Sequence, residues 1–308
     1  MVDAPRGNWV DTYAPAFSRP YLRLARADRP IGTWLLLLPC WWSLALASLD
    51  AGRAYPSPWY LVLFAVGAFV MRAAGCAYND IVDRDFDAQV ARTKSRPIPS
   101  GQVSPRQALA FVVALGLTGL AVLVQFNTFT IWLAIASLLL VLIYPFMKRI
   151  TNWPQFVLGL AFNWGALVGW SSQTGALALP ALALYVGSVA WTIGYDTIYA
   201  HQDKEDDLML GLKSTALHFG TATPRWVAGF YIVAILAWSI GAVMAGAHVL
   251  TFLALAVVAA HFVWQVVSLD PADADNCLTR FRSNRDAGLI LFAGLVADMG
   301  LSWALAGG

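Results

Sequence analysis

The chain has 308 residues, of which 59% are hydrophobic and only 12% charged, with a formal net charge of +2. Soluble domains carry about 25% charged residues. The deficit leaves too little polar surface to face water, so lipid is the expected solvent. The near-neutral balance gives no reason to expect nucleic acid as a partner. Cys40, Cys76 and Cys277 lie far apart and form no Cys-x-x-Cys, which predicts neither a disulfide nor a thiolate metal site.

Residues 1–27 read as a cytoplasmic amino-terminal segment. The first 30 residues lack the apolar run of a signal peptide, and their Asp3, Asp11 and Asp28 argue against both a signal peptide and a mitochondrial presequence. A membrane span needs roughly 20 mostly apolar residues. Hydropathy predicts nine: residues 31–49, 57–77, 106–124, 128–146, 154–171, 179–199, 225–245, 249–268 and 286–305. Pro30, Pro105, Pro154, Pro180 and Pro224 mark several starts. The fold expected is therefore all-α, a polytopic bundle of nine transmembrane helices forming a single domain over residues 1–308.

Placing the nine spans puts every Lys and Arg except Arg53 on one side. Basic residues stay in the cytoplasm, so the amino terminus is expected there. The long connections, 78–105, 200–223 and 269–285, share that side, which makes the cytoplasmic mouth the expected site of function.

Half of the 18 acidic residues fall in two stretches on this side. The first runs Asn79-Asp80-Ile81-Val82-Asp83-Arg84-Asp85-Phe86-Asp87, with Asn79, Asp83 and Asp87 spaced i, i+4, i+8. On a helix these share one face. Like charges so placed repel each other unless a cation lies between them. Oxygen-only donors suit magnesium, which takes one or two carboxylates together with phosphate and water. The second stretch, Tyr195 to Asp207, repeats the i, i+4 spacing at Asp203 and Asp207 and sets Asp196 seven residues deeper. His201 falls off that face and is expected to be exposed or outside the ligand set. Solvated loop charge is the plain alternative for either stretch alone. Two of them, each at the cytoplasmic end of an even-numbered span, favour a site. Each follows the second span of a four-span set, which suggests two parallel halves.

At these residues the chain resembles the UbiA family of intramembrane aromatic prenyltransferases. The resemblance rests on Asn79-Asp80-x-x-Asp83-x-x-x-Asp87, Arg92-Thr93-x-x-Arg96-Pro97-x-x-Ser100-Gly101, Tyr144-x-x-x-Lys148 and Asp203-x-x-x-Asp207. The stretches Asp28–Thr33, Met71–Cys76, Tyr195–Ala200 and Gly211–Thr215 resemble the branch that prenylates 4-hydroxybenzoate. The resemblance implies a nine-helix bundle, Mg2+ as cofactor, and a step in ubiquinone synthesis. The expected location is a bacterial inner membrane, with the active site facing the cytoplasm. The expected partners are a polyprenyl diphosphate, 4-hydroxybenzoate and membrane lipid.

In that chemistry Asn79 and Asp83 hold one metal ion and Asp203 and Asp207 another, with Asp80 and Asp87 as outer or alternate ligands. Lys148 and Arg149, one helical turn after Tyr144, complement the phosphates. Arg29, Arg72 or Arg149 meets the acceptor carboxylate, although a plain positive-inside anchor is an equal reading for Arg29 and Arg72. Tyr199, with Tyr78, Trp164 and Tyr195, offers an aromatic face to an allylic cation. Asp196 orients or deprotonates the phenol, or serves as a third metal ligand. Asp298, alone in the last span, is expected to be polar packing. Haem farnesyl transfer and cation transport are the alternatives. The Tyr195–Ala200 and Met71–Cys76 stretches argue against the first, and the clustering of acids at one mouth argues against the second.

Overall fold

A computed structural model describes residues 7–91 and 93–305. Arg92, quoted in the resemblance above, lies outside them. Among the described residues the structure is helical, with no strand. In chain order the helices are α1 (Trp9–Thr12), α2 (Arg19–Leu24), α3 (Ile31–Asp50), α4 (Pro58–Val82), α5 (Arg84–Asp87), α6 (Pro105–Leu123), α7 (Thr128–Ile150), α8 (Pro154–Asn163), α9 (Gly165–Thr174), α10 (Leu179–Ala200), α11 (Lys204–Met209), α12 (Thr215–Phe219), α13 (Thr223–Met244), α14 (Val249–Val267) and α15 (Ala274–Leu305).

Among the described residues, seven helical stretches are long and apolar enough to cross a membrane: α3, α4, α6, α7, the run from α12 through α13, α14 and α15. The protein is a multi-pass membrane protein. Their outward faces carry large apolar side chains, such as Leu109, Val113, Leu117 and Leu120 on α6 and Ile232, Leu236, Ile240 and Val243 on α13. In water, stripes of that size are a liability. Against hydrocarbon they are ordinary solvation, while the helix satisfies its own backbone.

Three boundaries differ from hydropathy. Helix α4 continues through Asn79 and Asp80 to Val82, so the first motif begins on the span itself. In place of a single span at 154–171 stand two ten-residue helices, α8 and α9, which meet at Trp164 and end at Thr174. Helix α15 begins at Ala274, so Arg280, Arg282 and Arg285 sit on a helix rather than in a loop. Helix α10, which is not among the seven, carries Ser188, Thr192, Asp196 and Thr197.

The chain divides into two compact units. The first comprises Met1–Trp34 and Ala65–Gln125, and the second Leu35–Phe64 and Phe126–Gly308. In the first, Leu24 of α2 packs with Ala77 of α4, Ile98 and Val103 of the following loop, and Ala108 of α6. Burying such a leucine stabilises by about 2 kcal/mol. This small core ties the loop after the first motif to the helix that bears it.

In the second unit, Trp42, Trp191 and Trp238 meet with ring centroids 5.0–5.7 Å apart. Each indole N–H has an acceptor: Gly288 O at 2.8 Å, Asn284 Oδ1 at 2.7 Å and Ser188 Oγ at 3.1 Å. Buried tryptophans require such partners. Gly165 and Gly169, one turn apart on α9, lie where any Cβ would strike Cys40 of α3. Small residues at that spacing let membrane helices touch backbone to backbone.

Candidate active site

The first motif begins on the last turn of α4. Asp83, with φ −97° and ψ 5°, interrupts the helix before α5. The hydrogen-bond register nevertheless runs through: Asp83 N–H donates to Asn79 O, and Asp87 N–H to Asp83 O, both at 2.9 Å. Asn79 Nδ2 donates to Asp83 Oδ2 at 3.2 Å, so these two side chains share a face. Asp80 lies about 100° further round the helix. Its Oδ1 accepts from Arg26 Nη2 at 2.6 Å and from Arg96 Nη1 at 3.4 Å. Arg96 Nη1 also donates to Asp87 Oδ2 at 2.9 Å. Asp80, Asp83 and Asp87 are all buried. A buried carboxylate costs several kcal/mol unless paired, and the two arginines supply that pairing for Asp80 and Asp87.

The loop that delivers Arg96 is built by its own sequence. Thr93 Oγ1 donates to Asp87 O at 2.8 Å, Ser100 N–H to Arg96 O at 3.0 Å, and Val103 N–H to Pro97 O at 3.0 Å. Arg26 is delivered differently. Helix α2 ends in a Schellman arrangement, with Arg26 N–H donating to Arg23 O (3.1 Å) and Ala27 N–H to Leu22 O (2.9 Å). The residue at that position adopts left-handed backbone and is usually glycine. Here it is Arg26, with φ +58°, alone among the described non-glycine residues in having positive φ. That conformation costs an L-residue about 1–2 kcal/mol. In the sequence Arg26 is one of several amino-terminal arginines, with Arg19, Arg23 and Arg29, all counted on the cytoplasmic side. The available signal was a helix stop with no glycine in it.

Arg29 and Arg72 belong to the same unit. Arg29 Nε stands 3.6 Å from Asp28 Oδ1. The Arg72 guanidinium crosses the face of α3 at Gly32, where any Cβ would collide with it, and Nη1 donates to Cys76 Sγ.

In the second unit, α10 ends at Ala200 and a 3-10 turn, His201–Asp203, leads into α11. Asp203 and Asp207 are therefore one helical turn apart on α11 and its cap, both half-buried. Asp196 sits within α10, half-buried, and is not on one continuous helix with them. His201 is buried rather than exposed. Its Nε2 pairs with Thr223 Oγ1 at 3.0 Å, and burial, with Lys204 nearby, pushes its pKa down to about 4.

The chain after α11 returns to the end of α7: Lys213 N–H donates to Lys148 O at 2.8 Å and Lys213 Nζ to Ile150 O at 3.1 Å. This places Tyr144, Lys148 and Arg149 on the helix whose last turn meets that loop. Arg149 also lies over the Phe146 ring at 5.6 Å. Tyr199 and Tyr195 pack on Phe281, with centroids 4.5 and 5.7 Å away. Trp164 Nε1 donates to Leu133 O at 2.8 Å, which ties that ring to α7.

Among the described residues, no three His, Cys, Asp or Glu side chains stand together as a ready-made cation cage. Two pairs of oxygen-bearing side chains one turn apart, Asn79 with Asp83 and Asp203 with Asp207, are candidate donor sets. All their donors toward a cation are hard oxygens, the set that suits magnesium when phosphate and water complete the shell.

A model of the UbiA prenyltransferase family matches residues 36–293. The mitochondrial 4-hydroxybenzoate polyprenyltransferase of Rattus norvegicus is 49% identical over 287 residues, which is 92% of this chain and 75% of that protein. A UbiA homolog from Aeropyrum pernix, solved in its apo form, superposes with a TM-score of 0.71 at 27% identity, covering 86% of this chain and 98% of that one. A UbiA homolog from Archaeoglobus fulgidus, bound to GPP and Mg2+, shares the fold with a TM-score of 0.66 at 19% identity, over 92% and 99% of the two chains. With the family match covering most of its length, the chain belongs to the UbiA prenyltransferase family.

Proposed function

We propose that this protein transfers a polyprenyl chain from polyprenyl diphosphate to the ring carbon ortho to the hydroxyl of 4-hydroxybenzoate, releasing diphosphate, as a step of ubiquinone synthesis. The observation that carries this reading is the 49% identity, over 92% of the chain, to a mitochondrial 4-hydroxybenzoate polyprenyltransferase.

Asn79 with Asp83, and Asp203 with Asp207, are the residues that would hold Mg2+, with Asp80 and Asp87 outside those pairs. Bound magnesium supplies positive charge that makes diphosphate a better leaving group. Lys148 and Arg149 bind phosphate oxygens, with Tyr144 one turn back on α7. Arg29 or Arg72 receives the acceptor carboxylate, a task suited to a bidentate guanidinium. Tyr199 offers its ring face to the allylic cation. Asp196 accepts the phenol hydroxyl's hydrogen bond, raising electron density at the ortho carbon.

The finer architecture proposed is one domain over residues 1–308 with nine membrane spans, α8 with α9 and α10 completing the count. Residues 1–27 lie in the cytoplasm. We place the protein in a bacterial inner membrane, and the distribution of Lys and Arg supports a site on the cytoplasmic face. The test is a product assay on purified protein with 4-hydroxybenzoate and diphosphates of graded chain length, with and without Mg2+. Prenylated 4-hydroxybenzoate formed only with Mg2+ is expected. Its absence under every condition overturns the reading.

A further inference from the structure

The first motif is held by a chain of alternating charges, Arg26–Asp80–Arg96–Asp87, spaced at 2.6, 3.4 and 2.9 Å. The side chains are 11%, 1%, 13% and 11% exposed in that order. Within this chain of contacts two guanidinium groups face two carboxylates, so the charges of these four side chains balance. Arg26 is the unusual member. Its backbone occupies the left-handed stop of α2, where glycine is the default and an arginine is strained. Its side chain donates to Arg23 O at 3.1 Å and, 54 residues along the chain, to Asp80. A strained residue persists where its side chain does something glycine cannot. The thing done here is to fasten the end of α2 to the last turn of α4, one residue from Asn79.

We propose that Arg26 is a positioning residue. Through Asp80 it fixes the rotation of the last turn of α4, and so sets Asn79 and Asp83 to receive a divalent cation. Asp80 is then the counter-ion of Arg26 and Arg96 rather than a metal ligand. This rests on the magnesium-dependent reading above. A plain structural clamp is the competing account, and substitution by glycine separates the two. Arg26→Gly removes the guanidinium but gives the left-handed turn its preferred residue, so a merely structural role predicts little change beyond stability.

The experiment uses the full chain in lipid nanodiscs as wild type, Arg26→Gly, Arg26→Lys and Asp80→Asn. Thermal midpoints are read without ligand and during a Mg2+ titration at fixed geranyl diphosphate, and turnover is followed in parallel. Arg26→Gly is expected to lower the ligand-free midpoint, because buried Asp80 keeps only the longer Arg96 contact, and in addition to require about tenfold more Mg2+ for half of the ligand-induced shift, which is roughly the scale for losing one charge-assisted contact. Turnover should fall most at limiting Mg2+, and Asp80→Asn should behave alike. A wild-type Mg2+ requirement in both variants overturns the proposal. So does a loss confined to the ligand-free midpoint. If Arg26→Gly does not fold, Arg26→Lys, which keeps the charge but loses the forked donor, carries the same comparison. If the wild type itself gives no Mg2+-dependent shift, the functional reading fails, and this inference fails with it.

Discussion

Asp298 of α15 caps the start of α14 through Thr251, whose Oγ1 donates to Asp298 Oδ2 at 2.8 Å. The same carboxylate accepts from the backbone N–H groups of His248 (2.6 Å) and Leu250 (3.1 Å). The first turn of any helix leaves its N–H groups without intrahelical partners, and a negative charge there is favoured by the helix dipole. Here the cap comes from the neighbouring helix, which also locks α14 and α15 together. Asp298→Ala leaves three donors without it and should destabilise by about 3 kcal/mol. Asp298→Asn, which keeps one acceptor oxygen, should cost less. Thermal melting checks the order, and the Mg2+ requirement of active protein should not change in either variant.

The amino-terminal segment carries its own pH-sensitive latch. Arg23 pairs with Asp11 at 2.7 Å, and this hydrogen bond holds the Asp11 carboxyl below the usual carboxylate range despite opposition from burial. A pKa lower in the folded state means the stabilisation is present above the unfolded value, about 3.9, and is lost as pH falls through the folded value. Hydrogen exchange in α1, corrected for intrinsic rate, should be steady from about pH 7 to 5 and rise below about pH 4. Asp11→Asn should exchange faster throughout and show no such step. A step between pH 5 and 7 would contradict the assignment.

Gly32→Ala is a one-methyl test of Arg72. A Cβ at position 32 would occupy the space of the Arg72 guanidinium, a flexible group that can move aside. The helix itself should gain slightly, since alanine is the better helix former by roughly 1 kcal/mol. If Arg72 meets the acceptor carboxylate, KM for 4-hydroxybenzoate should rise several-fold with Mg2+ dependence and membrane insertion unchanged. An unaltered KM would return Arg72 to the role of a charge anchor.

Hydropathy located the apolar helices because burial in lipid depends on composition over about 20 residues. It missed the features set by single contacts. Helix α15 is longer than its apolar part because Arg280, Arg282 and Arg285 extend the helix beyond the hydrophobic run. The break at Trp164 has no proline to announce it. At the first motif, the i, i+4 spacing correctly placed Asn79 beside Asp83, since that geometry is local. The partners of Asp80 were not legible, because Arg26 lies 54 residues away and a string of similar amino-terminal arginines conceals it. For His201, expected to be exposed or outside the ligand set, exposure is ruled out: the turn after α10 folds it against Thr223.

The two readings of Asp196 differ in which constant they move. As the group that orients or deprotonates the phenol, it acts on the acceptor alone. Asp196→Asn then lowers kcat by about 100- to 10,000-fold, the range of a lost general base, and leaves the Mg2+ midpoint where it was. Ring-fluorinated 4-hydroxybenzoates, whose phenols ionise more readily, should lose less to the substitution than the parent acceptor, because they depend less on a base. As a third metal ligand, it would instead raise the Mg2+ requirement and penalise every acceptor alike. Its placement favours the first outcome. It lies within α10, before the 3-10 turn, while Asp203 and Asp207 lie beyond that turn on α11 and its cap. A Mg2+ midpoint displaced tenfold or more in Asp196→Asn, with no recovery on the fluorinated acceptors, would move Asp196 into the ligand set and leave the phenol to another residue.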